Sequence, residues 1–370
     1  MKEYKPEDLR NVVVVGHGGS GKTSLTEALL FDSGTITRLG KIEDGNTVSD
    51  YDDEEHARGL SVNAAVLPME WKNCKINLLD TPGYIDFVGE VNSAIRAADM
   101  GVVVVDAAAG VEVGAELDWS FLDEAKLPRF VYINKMDRDN ANFDQTVDQL
   151  RTKFDVPITP VILPIGARDT FSGVIDLVNM KAYSGSDNKE IAIPANLQAE
   201  VDAARQQLVE NAAEISDELM LKYLDGEELT ADEVITALAE GSKSGAMVLV
   251  LAGSSLRNIG VRQLLDAIVD FGPNATDVER VALAGATGEE TEIVASQTNP
   301  LVVQVFKTLA DPFVGRLTYF RVFSGVMTSD SRVWNANKGT EERLGQLFYP
   351  RGKEQITTER VTAGDIGVVA

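Results

Sequence analysis

The sequence predicts an α/β domain that carries an inserted α+β subdomain and is followed by an all-β barrel domain. Near-continuous apolar runs alternate with helix-like segments over roughly the first 275 residues, which is typical of a parallel sheet covered on both faces. More than a hundred residues separate the apolar runs at 129–134 and 246–253, too many for one crossover connection. From Leu301 onward the pattern changes to short β-rich runs with turn signals, as expected of a small barrel.

Each element of the first domain follows from a local pattern. The apolar run at 11–16 leads into a glycine cluster and then a segment with helical spacing, which predicts a strand, a loop and a helix. By the same criteria, further strands are predicted at 74–80, 101–106, 129–134 and 246–253, and further helices at 87–98, 112–125, 142–153 and 260–271.

The insertion spans about 157–245. Its first half is β-like, and its acidic second half, after Pro194, has a helical pattern. Thr230 and Glu233 have the spacing of a capping box, which predicts where the last helix of the insertion begins.

A polar stretch divides the chain in two. Residues 276–300 are rich in glycine and show no period, so we predict a linker there. The first domain then occupies 1–275 and the β-barrel domain 301–370.

Composition excludes several classes of protein. The 370 residues are 44% apolar and 25% charged, as in ordinary soluble proteins of two or three domains. One cysteine and two histidines exclude an internal disulfide and a structural zinc site. A charged first segment, and no apolar stretch long enough to span a bilayer, predict a cytoplasmic protein without a membrane partner. The formal net charge of −24 opposes binding to bare nucleic acid, so no DNA partner is expected.

A phosphate-binding motif follows the first predicted strand. Residues 16–23 fit GxxxxGK[ST] between a strand and a helix, the context that this motif requires. Glycines let backbone N–H groups surround the phosphates, Lys22 supplies a cation to the outer phosphates, and Thr23 offers a hydroxyl to Mg²⁺. The residues predicted to contact nucleotide here are Gly16, His17, Gly18, Gly19, Ser20, Gly21, Lys22, Thr23 and Ser24.

Two further motifs, NKxD and DxxG, complete the predicted nucleotide site, and NKxD indicates that the base is guanine. The carboxylate of Asp137 can accept from the ring N–H and the exocyclic amine of guanine, whereas adenine would leave it unpaired. DxxG places Asp80 near Mg²⁺ and the Gly83 amide near the γ-phosphate. Three motifs in this order predict a P-loop GTPase domain that binds GTP or GDP with Mg²⁺. The residues of the two motifs are Asn134, Lys135, Met136 and Asp137 for NKxD, and Asp80, Thr81, Pro82 and Gly83 for DxxG.

With these motifs the chain resembles the translational GTPases, and among them elongation factor G. The segment 58–62, RGLSV, resembles the switch I signature of that family, in which the hydroxyl, here on Ser61, coordinates Mg²⁺. Gly253, Ser254 and Ser255 resemble the loop that closes on the guanine. The insertion and the runs DPFVGRLTYFRVFSGV and AGDIGVVA extend the resemblance over essentially all 370 residues. Since the family continues with three more domains, the resemblance implies a fragment truncated after the second domain. The second domain is then expected to be nearly complete but cut at its C-terminal end.

Four residues around the γ-phosphate depart from the family pattern. Gly18 and Gly19 stand where the family usually has an apolar residue followed by Asp. Tyr84 stands where the family has the histidine that positions the attacking water, and Ser61 replaces a threonine. The departures therefore indicate a paralogue similar to elongation factor G, with nucleotide binding intact and hydrolysis slow or differently triggered.

The candidate catalytic residues are Lys22, Gly83 and Tyr84. The two histidines, His17 in the phosphate loop and His56 in switch I, are no obvious replacement for the missing one. Ordinary ribosome-triggered hydrolysis is the alternative, because glycines in the loop can be sequence drift and a docked ribosome can reposition the tyrosine. The acidic string at 50–55 is predicted to be a solvated part of switch I, with a metal site as the alternative.

The resemblance implies a GTP-binding, ribosome-associated translation factor. A GTP-dependent regulatory module that binds the ribosome or another partner without hydrolysis is the alternative. Another P-loop enzyme, such as a kinase, fits the guanine motif and the barrel less well. Translocation, recycling and regulation of ribosomes all remain compatible with the sequence.

Charge is distributed unevenly over the predicted domains. Residues 200–240 hold 12 acidic and 2 basic residues, whereas 300–370 hold 7 acidic and 9 basic residues. The insertion is similar to the one in elongation factor G, which the resemblance implies to be a docking site for the ribosomal stalk protein. We therefore expect the acidic helices at 200–240 to meet a basic protein surface, and the barrel to meet ribosomal RNA. The chain itself is expected to be a monomer.

Overall fold

A ten-stranded sheet forms the centre of the first domain. The computed structural model describes residues 2–283, 285, 287–311 and 315–370. The strands of this sheet are β1 (Leu9–Val15), β2 (Ala65–Trp71), β3 (Cys74–Asp80), β4 (Met100–Asp106), β5 (Arg129–Asn134), β6 (Ile158–Ile165), β7 (Gly173–Asp176), β8 (Lys181–Ser184), β9 (Lys189–Ile191) and β10 (Val248–Ala252). Their spatial order is β2-β3-β1-β4-β5-β10-β6-β7-β8-β9. The six strands from β3 to β6 in this order are parallel, and the outer ones are antiparallel.

Helices cover this sheet. They are α1 (Lys22–Asp32), α2 (Asp53–Arg58), α3 (Val88–Ala97), α4 (Val113–Glu124), α5 (Phe143–Lys153), α6 (Gln198–Ala213), α7 (Asp217–Leu224), α8 (Ala231–Lys243) and α9 (Val261–Asp270). The central strands β1, β3, β4 and β5 are buried at every residue, which explains their continuous apolar runs. In the described ranges, no helix combines the length and the apolar character that crossing a bilayer requires.

The predicted elements are confirmed to within about two residues at each end, and so is the capping box of Thr230 and Glu233 at the start of α8. The strand β2 was not predicted. It contains Pro68, which has no N–H for a strand ladder and argues against a central strand. The structure tolerates it because β2 lies at the edge of the sheet and pairs only with β3.

The insertion extends the central sheet and does not form a sheet of its own. β6 pairs in parallel with β10, and β7, β8 and β9 follow as antiparallel neighbours. The acidic second half folds as α6, α7 and α8, as the sequence predicts. The insertion therefore adds to one edge of the nucleotide-binding sheet and leaves the ends of β1, β3, β5 and β10 free for the site.

The C-terminal segment is all-β. Its strands are β13 (Val302–Asp311), β14 (Gly315–Ser324), β15 (Val326–Thr328), β16 (Arg332–Asn335), β17 (Thr340–Arg343), β18 (Leu347–Arg351), β19 (Glu354–Thr358), β20 (Arg360–Thr362) and β21 (Ile366–Val369). Five of them form an antiparallel sheet in the order β13-β14-β21-β18-β19, and β15–β20 and β16–β17 form two-stranded pairs. The predicted fold class is confirmed.

The predicted linker contains a hairpin, which the sequence did not indicate. Two strands, β11 (Arg280–Leu283) and β12 (Glu290–Ile293), pair in antiparallel register. The side chain of Arg280 fixes the first strand, because it donates to the carbonyl oxygen of Ala98 at 2.6 Å and lies 3.3 Å from Asp99. The two strands are the short runs RVAL and ETEI inside a Gly-rich polar stretch, so composition alone suggested a loop.

Buried ion pairs join the all-β segment to the sheet. The guanidinium of Arg321 on β14 donates to Asp99 Oδ2 at 2.8 Å, and both side chains are at most 2% exposed. Lys75 on β3 lies 2.7 Å from Asp365 and 3.7 Å from the ring centroid of Tyr349. Charges buried at this depth are stabilised only while their partners stay in place, so these pairs fix the all-β segment against the sheet.

Candidate nucleotide-binding site

The phosphate-binding motif forms the connection between β1 and α1, at the carboxyl end of a central parallel strand. Open parallel sheets bind ligands at that edge. Gly16 has a φ of 139°, and a side chain there would collide with the carbonyl oxygen of Val104. Gly21 has a φ of 96° and lies against the amide of Asn134. Ser24 follows in the first turn of α1. Glycine is therefore required at both ends of the loop.

Lys22 lies inside this loop. Its Nζ donates to the carbonyl oxygens of Gly16 and His17, at 2.8 and 3.1 Å. Burial lowers the pKa of Lys22, and nearby carboxylates, Asp80 first and then Asp118, oppose this shift. A phosphate group beside the ammonium would favour its charged form, as the predicted role of Lys22 requires.

The residues of NKxD join the phosphate loop to the loop after β10. Asn134 donates from Nδ2 to the carbonyl oxygen of Ser20 at 3.0 Å and accepts from the N–H of Ser255 at 2.9 Å. The N–H of Met136 donates to the carbonyl oxygen of Gly253 at 3.2 Å. Lys135 binds back to the carbonyl oxygen of Gly19. Three segments that are far apart in the chain thus converge where the sequence predicts a guanine.

Asp137 has the chemistry of a base-reading group. Its Oδ1 is buried and has no hydrogen-bond partner within the described residues. Its other oxygen lies 3.7 Å from Nε of Arg257. An unsatisfied buried carboxylate oxygen costs free energy unless a ligand donates to it, and guanine offers two such N–H groups.

The residues predicted to bind Mg²⁺ are brought together. Thr23 Oγ1 and Ser61 Oγ lie 3.0 Å apart, and Ser49 Oγ donates to Asp80 Oδ2 at 2.5 Å. Asp80 Oδ1 is buried without a hydrogen-bond partner in the part of the chain that the structure describes. Burial raises the pKa of Asp80, while Ser49 and Lys22 oppose that shift.

Asp50 is a functional candidate that the sequence indicated only through the alternative interpretation of the acidic string, a metal site. The acidic string was predicted to be solvated, but Asp50 is only 5% exposed, and its Oδ1 has no hydrogen-bond partner among the described side chains and backbone. Burial and the Asp80 carboxylate raise the pKa of Asp50 to about 7, against a hydrogen bond from Ser61. Two partnerless carboxylate oxygens beside two hydroxyls fit a hard divalent cation, which prefers oxygen ligands.

Glu55 also lies in the core and organises switch I. Its two oxygens accept the N–H groups of Tyr51 and Asp52 on one side, and of Val62 and Asn63 on the other, all at 3.0–3.1 Å. These bonds hold the segment on both sides of Ser61. The sequence analysis did not use the capping-box spacing of Asp52 and Glu55 at the start of α2, which is a signal that could have indicated this arrangement.

The segment 80–84, which contains DxxG and is called switch II here, begins at the end of β3. The hydroxyl of Thr81 donates to the carbonyl oxygen of Val14 at 2.6 Å, which fixes the start of the segment to β1. Pro82 is buried and Gly83 is partly buried, whereas Tyr84 is 49% exposed. The ring of Tyr84 lies against Gly18 of the phosphate loop.

Both histidines make contacts with groups other than the Tyr84 ring. His17 Nδ1 accepts from the N–H of Gly114 at 3.3 Å, and its Nε2 lies 3.5 Å from Glu112. The ring of His56 bonds to the carbonyl oxygen of Asp50 at 2.9 Å. Tyr84 is thus the side chain at the position where the family pattern has its histidine.

A further carboxylate lies behind the phosphate loop. Asp118 on α4 is 6% exposed, and its Oδ2 accepts from the N–H of Gly16 at 2.7 Å. Burial raises the pKa of Asp118 to about 6, although this hydrogen bond, Lys22 and His17 oppose the shift. No sequence motif indicated Asp118, because it is 102 residues away from its partner.

Asp118→Asn is expected to increase the stability of the protein at pH 7–8 by on the order of 2 kcal/mol. Because the folded pKa is raised above the unfolded value, the native state binds more protons between about pH 4 and pH 6. The favourable contribution of Asp118 is therefore complete below pH 4 and lost as the pH rises through about 6. Urea unfolding followed by circular dichroism between pH 4 and pH 8 measures the difference, which should shrink toward pH 4.

Glu124→Gln, on the exposed side of the same helix, is the control for Asp118→Asn. A constant difference between Asp118→Asn and the unmodified protein across this pH range would contradict the assignment.

Comparisons with known proteins agree with this geometry. The family described as the elongation factor Tu GTP-binding domain matches residues 7–274, and the family described as elongation factor G domain 2 matches residues 300–370. A crystal structure of a protein from Thermus thermophilus is similar, with 34% sequence identity and a TM-score of 0.87. The similarity covers 98% of this chain and 52% of that one, so the chain spans about half the length of that relative.

Proposed function

Because the chain belongs to the translational GTPases of the elongation factor G type, we propose that it acts on the ribosome as a GTP-dependent factor with weak GTP hydrolysis. The observation that carries the proposal is Tyr84, which lies against the phosphate loop while both histidines are engaged elsewhere. GTP binding through the described motifs follows from the family and from the convergence of Asn134 with the two flanking loops.

We assign the tasks in binding to separate residues. Asp137 accepts the guanine N–H groups, and Lys22 exchanges its two carbonyl partners for phosphate oxygens. Gly83 brings its amide toward the γ-phosphate. Within the described ranges, no group of three or more His, Cys, Asp or Glu side chains is placed to hold a metal. A Mg²⁺ ion would supply charge neutralisation at the outer phosphates, and the residues that would hold it are Thr23, Ser61 and Asp80.

Weak hydrolysis follows from the chemistry of Tyr84. Phosphoryl transfer depends mainly on positioning and on charge stabilisation, so replacing a water-positioning group slows hydrolysis while nucleotide binding persists. The phenol of tyrosine donates through an O–H group, whereas the imidazole of histidine donates through an N–H group, and the tyrosine side chain is the longer of the two. The half-exposed ring also rests on Gly18, which fixes where its hydroxyl can point.

Tyr84→His is expected to raise ribosome-stimulated phosphate release from the full-length protein by about tenfold or more. The measurement mixes protein, ribosomes and GTP and follows phosphate over time. Tyr84→Phe, which removes only the hydroxyl, should leave the slow rate nearly unchanged. Rapid multiple turnover by the unmodified protein that Tyr84→Phe abolishes would sink the proposal of weak hydrolysis.

The same observation favours a second candidate, a regulatory module that binds the ribosome in the GTP state without turnover. Co-sedimentation with ribosomes in GTP, GDP and a non-hydrolysable GTP analogue separates the two candidates. Equal binding with GTP and the analogue, together with no phosphate release, favours the regulatory module.

We further propose that the acidic insertion contacts a basic protein surface such as the ribosomal stalk, while the all-β segment contacts ribosomal RNA. The acidic residues lie on and between α6, α7 and α8, and Leu221 and Leu224 on α7 are 63% and 71% exposed. An acidic rim around exposed leucines provides both electrostatic steering and an apolar contact.

Reversing the charges of Asp225, Glu227 and Glu228 is expected to slow ribosome association by about tenfold at low salt, with a smaller effect at high salt. These exposed residues follow α7, so their reversal leaves the helices intact. Reversal of Glu289, Glu290 and Glu292 in the linker hairpin changes the net charge equally and is the control. Stopped-flow measurement of the ribosome association rate at two salt concentrations tests this prediction. Equal effects of the two triple charge reversals would contradict the stalk proposal.

A further inference from the structure

Two of the departures from the family pattern touch each other. A Cβ placed on Gly18 would lie 3.1 Å from Cζ of Tyr84 and 3.2 Å from both of its Cε atoms. Ordinary van der Waals contact begins near 3.4 Å, so the outer edge of the ring already occupies the space that a side chain at position 18 would need. A side chain at position 18 would therefore displace the half-exposed Tyr84 ring by a few tenths of an ångström.

The reason for glycine differs between positions 18 and 19. Gly19 has a φ of 84°, and nothing lies within 4 Å of a Cβ built on it, so backbone conformation alone explains glycine there. Gly18 has no positive φ, so backbone strain does not explain glycine there. The Tyr84 ring is therefore the group that disfavours a side chain at position 18.

The backbone of switch II approaches the same point. A Cβ on Gly83 would lie 2.8 Å from the backbone nitrogen of Gly18 and 2.9 Å from its Cα, and it would collide with Nζ of Lys22. Two consecutive residues of switch II thus rest on one residue of the phosphate loop. Tyr84 directly follows Gly83 in the chain, so both contacts act on the same short segment of switch II.

We propose that Gly18 and Tyr84 form one steric unit, the Gly18–Tyr84 pair, that holds switch II against the phosphate loop and thereby slows GTP release. The inference rests on the proposed binding of GTP at this loop. Tyr84 is then a positioning residue as well as the substitute for a histidine, and Gly18 is the matching change that admits it. GTP release depends on the pair more than GDP release does, because only GTP has the γ-phosphate that Gly83 would contact.

A double-mutant cycle on the full-length protein tests this inference through the dissociation rates of fluorescent GTP and GDP analogues. Gly18→Ala is expected to accelerate GTP release by about two- to tenfold, the range of one aromatic contact, and GDP release less. In a Tyr84→Ala background the same change should have almost no effect, because the ring is gone. Tyr84→Phe keeps the three contacting carbons, so Gly18→Ala should accelerate release there as in the unmodified protein.

Gly89→Ala is the matched control, since Gly89 lies on α3 and nothing is within 4 Å of a Cβ built on it. Its effect should be the same in the unmodified protein and in the Tyr84→Ala background. Thermal unfolding of each variant is measured alongside the dissociation rates as a check on folding. The variants are expected to fold, because Gly18 is partly exposed.

The outcomes distinguish the two proposals. Equal acceleration by Gly18→Ala in all three backgrounds, with GTP binding intact, would overturn the Gly18–Tyr84 pair alone. Absence of GTP binding by the unmodified protein would overturn the proposed function and this inference with it. Acceleration that disappears with Tyr84→Ala and persists with Tyr84→Phe supports the pair.

Discussion

Asp137→Ala is expected to weaken GTP and GDP binding by about 10²- to 10⁴-fold while leaving the much weaker ATP binding unchanged. The carboxylate oxygen Oδ1 is buried and lacks a partner among the described residues, so guanine is the group that satisfies it. Two hydrogen bonds to a charged acceptor are lost together in the variant. Competition of unlabelled GTP, GDP and ATP against a fluorescent guanine nucleotide measures the three affinities.

Asp139→Ala is the control for this change. Asp139 lies two residues further along the same loop and is exposed, so its loss removes a carboxylate without touching the base-reading position. Loss of affinity below about threefold in Asp137→Ala, or an equal loss for ATP, would contradict the assignment of Asp137 as the guanine reader.

Asp99→Ala is expected to lower the free energy of unfolding by about 3–5 kcal/mol. Asp99 is fully buried and accepts hydrogen bonds from Arg321 and from Asn11, each at 2.8 Å. Its removal leaves the guanidinium of Arg321, which is 2% exposed, without its carboxylate partner. Urea unfolding followed by circular dichroism measures the change.

The exposed pair Arg332–Glu341, with side chains 69% and 56% exposed, supplies the comparison. Arg332→Ala should cost less than about 1 kcal/mol, because water screens the pair and solvates the remaining charge. If Asp99→Ala cost no more than Arg332→Ala, the buried ion pairs would not be what holds the all-β segment to the sheet.

Much of the site was predictable because its motifs are local. The phosphate loop, DxxG and NKxD each occupy a few consecutive residues that follow an apolar strand, and the strand periods placed them at one edge of a sheet. The structure confirms this edge through bonds such as Asn134 to Ser20 and Ser255. Two elements were not predicted because the local sequence argued against them. Pro68 argued against the edge strand β2, and the polar composition of the linker argued against its hairpin.

The burial of individual charges was not predictable. Asp50 sits in an acidic string that looks solvated, yet it lies in the core beside Asp80. Asp118 carries no motif and meets Gly16 only because α4 packs behind the phosphate loop. Burial and pKa depend on atoms from distant parts of the chain, and a single sequence does not place them.

The sequence by itself determined the fold class, the guanine nucleotide motifs and the departures at positions 18 and 84. These depend on residue type and on spacing along the chain, which a sequence contains in full. Only the tertiary structure decided that Gly18 and Tyr84 are in contact and that Asp99 faces Arg321 across two domains. The first pair is 66 positions apart in the chain and the second is 222 positions apart, so only the packing of the sheet against its neighbours brings them together. Steric exclusion and the burial of charge both depend on that packing.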